Sequence, residues 1–126
     1  MSTNRFRKKL NALEYQVTRM KATELAFSGE YWNNKAHGKY YCKCCDCILF
    51  NSEDKFDSGT GWPSFKRECI KGVLMQKEDK TLGMSRIEVL CSSCEAHLGH
   101  VFNDGPPPLF LRYCINSVSL SFKPKN

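Results

Sequence analysis

The feature that most constrains this chain is a pair of cysteine clusters far apart in sequence. Cys91-Ser92-Ser93-Cys94 is one Cys-x-x-Cys, and Cys42-Lys43-Cys44-Cys45-Asp46-Cys47 contains two overlapping ones, Cys42/Cys45 and Cys44/Cys47. Two such knuckles can present four thiolates tetrahedrally to one Zn²⁺ at about 2.3 Å, because the two-residue spacing lets a tight turn aim both sulfurs at one ion. The 45 residues between Cys45 and Cys91 exceed the spacing of a zinc ribbon, so the ion would clip together two distant parts of the chain. A closed site of four thiolates keeps no open position and holds a fold without doing chemistry. Spacing alone does not choose between Cys42/Cys45 and Cys44/Cys47.

Eight cysteines in 126 residues would form a disulfide framework in a secreted chain. The N-terminus is basic but leads into no continuous apolar stretch, so it does not read as a secretory signal. In a cytoplasmic chain, which is the expectation here, the same cysteine load points to metal and redox chemistry. The length suits one domain, residues 1–126, and no apolar run approaches the roughly 20 residues that span a bilayer. The formal charge is +6, and four thiolates around a zinc dication would offset part of it. Apart from Arg5, Arg7, Lys8 and Lys9 the basic residues are scattered, which fits a solvated surface rather than a nucleic-acid groove.

Phe6, Leu10, Leu13, Val17 and Met20 recur at steps of four and three, the apolar stripe of an amphipathic helix over 5–20. Residues 39–50 read as a hairpin, 59–63 as a loop, 72–76 and 83–90 as strands, and the proline run after Asn103 as a stiff turn. In 109–122, Leu111, Tyr113 and Ile115 alternate with Phe110, Arg112, Cys114 and Asn116. The apolar phase then shifts to Val118, Leu120 and Phe122, predicting a bulge or bend near Asn116–Ser117. The fold expected is mainly antiparallel β with one N-terminal helix.

Cys114 belongs to no Cys-x-x-Cys. Arg112 and Asn116 share its strand face; a guanidinium favours the thiolate, the reactive form, and an amide can orient a polar ligand. His97 and His100 lie three residues apart, suited to proton delivery near neutral pH.

Three segments carry a resemblance. Lys55-Phe56-Asp57-Ser58-Gly59-Thr60-Gly61-Trp62-Pro63-Ser64-Phe65, His97-Leu98-Gly99-His100-Val101-Phe102-Asn103-Asp104-Gly105-Pro106 and Arg112-Tyr113-Cys114-Ile115-Asn116-Ser117 closely resemble the signature segments of the B-type methionine sulfoxide reductases, with Phe27-Ser28-Gly29-Glu30-Tyr31-Trp32 and Leu49-Phe50 in support. The resemblance runs from about residue 13 to 122. It implies two antiparallel sheets around a structural zinc, one per chain, held by Cys42, Cys45, Cys91 and Cys94, with Cys44 and Cys47 extra. It implies Cys114 as nucleophile, Trp62 as the wall of a pocket for the substrate methyl, Phe102 shaping that pocket, and His97, His100 and Asn116 around the sulfoxide oxygen, with Arg112 beside them. The R epimer is the family's substrate, free or in oxidised proteins. The product on the enzyme is a cysteine sulfenic acid.

Many family members carry a resolving cysteine in the Ser-Gly-x-Gly-Trp segment, where this chain has Thr60. Cys69, Cys44 or Cys47 could take the role, Cys69 first because it follows Phe65 closely, or an outside thiol could act directly. Thioredoxin or another thiol reductant is the expected partner, and a monomer the expected state. Two other classes compete. A non-enzymatic zinc-clipped binding module of the same fold would have no reason to keep Cys114 with Arg112, His97 and His100. A basic nucleic-acid ribbon would need clustered cations interleaved with aromatics.

Overall fold

The structure, a computed structural model, describes residues 10–125. Helix α1 (Ala12–Met20) begins where its capping chemistry is satisfied. The Asn11 side chain accepts from the Glu14 amide (2.8 Å), and Glu14 accepts from the Asn11 amide (2.9 Å), so two orphan donors are paired reciprocally. Leu10 just before the cap and Tyr15 in the first turn both meet the core, as a hydrophobic staple does. The helix stops at Lys21, which is left-handed (φ 62°). The stripe expected over 5–20 is therefore corrected. Residues 5–9 lie outside the described residues, Leu13 and Met20 are exposed, and Val17 and Thr18 make the buried face with Leu10. Within Ala12–Met20 the face turned to the core is the one that carries Val17 and Thr18, and Leu13 and Met20 lie off it.

Nine strands follow among the described residues: β1 (Gly38–Cys42), β2 (Ile48–Asn51), β3 (Lys55–Phe56), β4 (Ser64–Phe65), β5 (Leu74–Asp79), β6 (Arg86–Cys91), β7 (His97–Phe102), β8 (Arg112–Ile115) and β9 (Leu120–Pro124). They form a three-stranded sheet, β2-β1-β9, and a six-stranded one, β3-β4-β8-β7-β6-β5. Every pairing is antiparallel. Of the bulge or bend expected near Asn116–Ser117, the structure has the bend, a 3₁₀ turn at Ser117–Ser119, and across it the chain leaves one sheet for the other. Side-chain parity shifts there because β8 and β9 face different layers. An aromatic cluster joins the layers: Phe50 stacks on Phe65 with centroids 4.2 Å apart, and Tyr40 meets Phe65 at 5.1 Å and Phe122 at 4.8 Å.

The two knuckles are built alike. The amides of Asp46 and Glu95 donate to the carbonyls of Cys42 and Cys91, and the amides of Cys42 and Cys91 donate to the carbonyls of Cys47 and Ala96. Asp46 and Glu95 are both left-handed, at φ 65° and 61°. Equal turns deliver Cys42/Cys45 and Cys91/Cys94, whose four sulfurs lie within 4.8 Å of one another. Cys42–Cys94 and Cys45–Cys91 are each 3.6 Å apart. Ligands about 2.3 Å from a tetrahedral centre sit about 3.8 Å from each other, so the four thiolates fit Zn²⁺. Arg19 donates to the Cys94 carbonyl (3.0 Å) and reaches its sulfur (3.6 Å), a cation against a cluster that carries net negative charge. The site is structural: α1, both knuckles and thus both sheets meet there.

Candidate active site

Sheet register puts the chemistry together. On β8, Cys114 lies between Ser64 of β4 and His100 of β7. Gly99, beside His100, allows β7 to approach so closely, because a Cβ there would collide with the Cys114 carbonyl. The ladder of β6 and β7 slips between Gly99 and His97. In a regular strand residues three apart point to opposite faces. The irregularity re-aims His97, so that its ring meets that of His100 edge-on at 5.6 Å.

Hydroxyls lie beside Cys114. Thr60 lines the same cavity, and its side chain favours the Cys114 thiolate. Ser58 Oγ bonds to Thr60 Oγ1 (2.8 Å) and to Ser64 Oγ (2.7 Å), which fixes the Thr60 rotor. Burial pushes the Cys114 thiol up; the Thr60 hydroxyl and Arg112 oppose this, and the nearby Glu24 carboxylate adds to it. The expectation that Arg112 leaves Cys114 with a lowered pKa is thus corrected, since desolvation of the thiolate outweighs the cation. Arg112 also has another partner. Its Nε and Nη2 donate to Asp104 at 2.8 and 3.2 Å, and its guanidinium lies 4.4 Å over the Phe102 ring.

Each histidine is held by a carboxylate. His100 Nε2 sits 2.8 Å from Asp79, which also accepts from the Thr81 amide and hydroxyl and pairs with Arg86 at 3.4 Å. The His100 contact, before the others, holds the Asp79 carboxyl well below the usual carboxylate range. His97 Nδ1 sits 2.7 Å from Glu88, itself 3.4 Å from Lys21. Burial pushes the His97 imidazole down despite Glu88, so it stays neutral near pH 7.

Asn116 is buried, with its Nδ2 donating to the Leu98 carbonyl (3.0 Å) and its Oδ1 accepting from the Glu24 amide (3.0 Å). The Trp62 indole donates to the Glu24 carbonyl (3.0 Å). Burial pushes the Glu24 carboxyl up, although Val118 and Ser117 donate to it. Glu24 thereby ties the Trp62 indole, Asn116 and the turn after Cys114 to one residue.

The result is a cavity of about 250 Å³ whose lining includes Trp62, His100, Phe102, Arg112, Cys114 and Asn116, together with Thr60. His97 stands behind His100, outside that lining. Cys69 is outside it too; its amide donates to the Leu49 carbonyl (2.8 Å), which anchors its loop to the three-stranded sheet. Glu24, Asp79, Glu88 and the Thr60 hydroxyl escaped the sequence reading. Only Asp79-Lys80-Thr81 carried a local signal, an Asx turn; the others meet the site through tertiary contacts.

Residues 10–124 match the family model of the SelR domain. The chain is 55% identical over 118 residues to the peptide methionine sulfoxide reductase MsrB of Acinetobacter baumannii, covering 94% of this chain and 85% of that protein. It is 54% identical over 121 residues to the protein of the same name from Thiobacillus denitrificans (96% and 92% covered). For the one from Pseudomonas putida the identity is 53% over 121 residues (96% and 91%). With the match extending over nearly all of it and the four convergent cysteines in place, the chain belongs to the SelR domain family.

Proposed function

We infer that this chain is an enzyme that reduces methionine-R-sulfoxide to methionine at the expense of thiols. The observation that carries the reading is one cavity holding a lone cysteine beside a carboxylate-held histidine, an arginine and an indole. A pure binding module would gain nothing from that set.

Cys114 as thiolate attacks the tetrahedral sulfur of the sulfoxide. Thr60 and Arg112 offset part of the desolvation that opposes its ionisation. His100 holds the oxygen and delivers a proton to it, since a neutral sulfoxide is a poor electrophile. His97 acts through His100, and Asn116 orients the oxygen side of the cavity. Trp62 takes the methyl group and Phe102 completes the wall. With methyl, oxygen and the outgoing side chain each assigned a direction, only one epimer fits. The oxygen passes to Cys114, leaving Cys114 as sulfenic acid and releasing methionine. A second thiol then condenses with the sulfenic acid to a disulfide and water, and a dithiol reductant returns Cys114 to the thiol.

Thr60 cannot be that second thiol. We assign the role to Cys69; its loop is tied to Leu49, and a bridge to Cys114 needs the two Cα atoms within about 7 Å. Thioredoxin supplies the electrons, and the chain works as a monomeric single domain in the cytoplasm. No helix among the described residues is long and apolar enough to cross a membrane. The zinc supplies folding energy and takes no part in the reaction.

The test is turnover of both sulfoxide epimers with dithiothreitol and with thioredoxin. Only the R epimer should turn over, and Cys114→Ser should be inert with either reductant. Cys69→Ser should keep the dithiothreitol rate and lose most of the thioredoxin rate. Equal turnover of the S epimer, or an active Cys114→Ser, would refute the assignment. A stable sulfenic acid with no Cys69–Cys114 bridge would transfer resolution to an external thiol.

A further inference from the structure

The cavity around Cys114 is not the largest concavity of the molecule. A second cleft of about 550 Å³ is walled by Trp32 and Phe56 and edged by Lys35, Glu53, Lys55 and Asp57. The two are joined by one stretch of chain. Thr23 lines the first cavity, and Glu24 accepts from the Trp62 indole. Phe27 then donates its amide to the Gly61 carbonyl (2.8 Å), and its ring meets Trp32 edge-on, with centroids 4.9 Å apart. Residues 23–27 therefore run along the rim from the reacting sulfur to the second cleft.

That rim is built against ordinary preferences. Leu25 is 79% exposed and Phe27 56% exposed, so two large apolar side chains face water side by side. Phe27 also sits at φ 63°, a strained conformation rare for a bulky residue. Gly61, at φ 90°, leaves no room for a Cβ beneath the Phe27 ring, so the contact that holds the ring outward is close-fitting. Neither side chain belongs to the buried core. The cleft beyond is preformed: Lys55 donates to the Trp32 carbonyl (3.0 Å), and Asn34 is bonded to Tyr40 (2.8 Å) and to the Ala36 amide (3.2 Å). Preformed concavities with aromatic walls and a few fixed polar groups are what ligands occupy.

We propose that the Leu25–Phe27 rim and the Trp32 cleft form a subsite for the polypeptide that flanks the oxidised methionine. This rests on the reductase reading above and deepens it. The occupant is chosen by continuity: a chain whose sulfoxide is seated at Cys114 must leave the cavity over its rim, and free methionine sulfoxide has nothing to lay there. An unfolded or damaged stretch with apolar neighbours would cover Leu25 and Phe27. Its polar backbone would meet the Lys35, Glu53 and Asp57 edge.

The experiment compares substrates within each variant. Leu25→Ser, Phe27→Asn (asparagine tolerates the left-handed conformation) and Trp32→Leu are assayed with dithiothreitol. The substrates are free methionine-R-sulfoxide and a blocked peptide with the sulfoxide between apolar residues. Removing one apolar contact of this kind should lower kcat/KM for the peptide about tenfold and leave the free sulfoxide unchanged. Equal losses on both substrates, or no loss on the peptide, would overturn the subsite. A loss seen only with thioredoxin as reductant would give the surface to the reductant and overturn it as well. Wild-type protein inert on both substrates would instead defeat the reductase reading itself.

Discussion

At Cys114 the competing effects are desolvation on one side and Thr60 with Arg112 on the other, and burial wins. Thr60→Val keeps the shape and removes the hydroxyl, so the thiol should rise further. Alkylation by iodoacetamide, followed against pH, should show its midpoint moving to higher pH, with turnover at pH 7 falling in step. An unmoved midpoint would take Thr60 out of the mechanism. His97 gives a stability prediction. Its pKa is depressed in the folded state, whereas the unfolded chain titrates near 6.5. The unfolded state therefore binds more protons once pH drops below about 6.5, and stability present above that value is lost toward the lower folded pKa. His97→Gln cannot take up that proton, so its melting temperature should fall less between pH 7 and pH 5 than the wild type's. Parallel curves would show that His97 contributes nothing to acid sensitivity. The cysteine, both histidines, Arg112 and Asn116 were legible because their residue types announce chemistry. Glu24 and Glu88 were not, since a buried carboxylate looks in sequence like any surface one.

At the scale of elements, β7 and β8 carry the site, and what sets their spacing is the missing side chain at Gly99. Gly99→Ala would drive a methyl into the Cys114 carbonyl, and backbone cannot yield as a flexible side chain does. The two strands must part and carry Cys114 away from His100. Activity should fall by the roughly 10²–10⁴ that a misplaced acid costs, with zinc retained, because the clash at Gly99 falls on the β8 side of β7 and Cys91 and Cys94 sit in the turn that precedes the strand. A fully active Gly99→Ala would mean that β7 and β8 tolerate separation. Alternation in β8 and the hairpin over 39–50 could be read directly, since period-two patterns are local. The His97–His100 contact could not. The spacing of three suggested that the rings meet, but in a strand this happens only because the ladder slips at that point. The helix shows the converse failure: its apolar period counted Leu13 and Met20 toward the core, and both are exposed.

Across the whole molecule, the two sheets share an aromatic core but are tied covalently only by loops and by the four thiolates. The clip was legible as two knuckles. Its pairing became physical only with the matched turns at Asp46 and Glu95, which aim Cys42 and Cys45, not Cys44 and Cys47, at the partner knuckle. A structural zinc contributes about 10–16 kcal/mol of apparent binding energy, whereas a domain of ordinary stability has about 5–15 kcal/mol in total. Losing the ion should therefore unfold the chain rather than soften it. Metal analysis should give one zinc per chain, and Cys94→Ser should lose both the metal and the cooperative melting transition. Cys47→Ser is the control: Cys47 closes its knuckle through a backbone carbonyl, which serine retains, so this variant should keep zinc, fold and turnover. If Cys94→Ser folded and reduced the sulfoxide without metal, the clip would be dispensable. If Cys47→Ser lost the ion, the ligand set drawn from the four convergent sulfurs would be wrong.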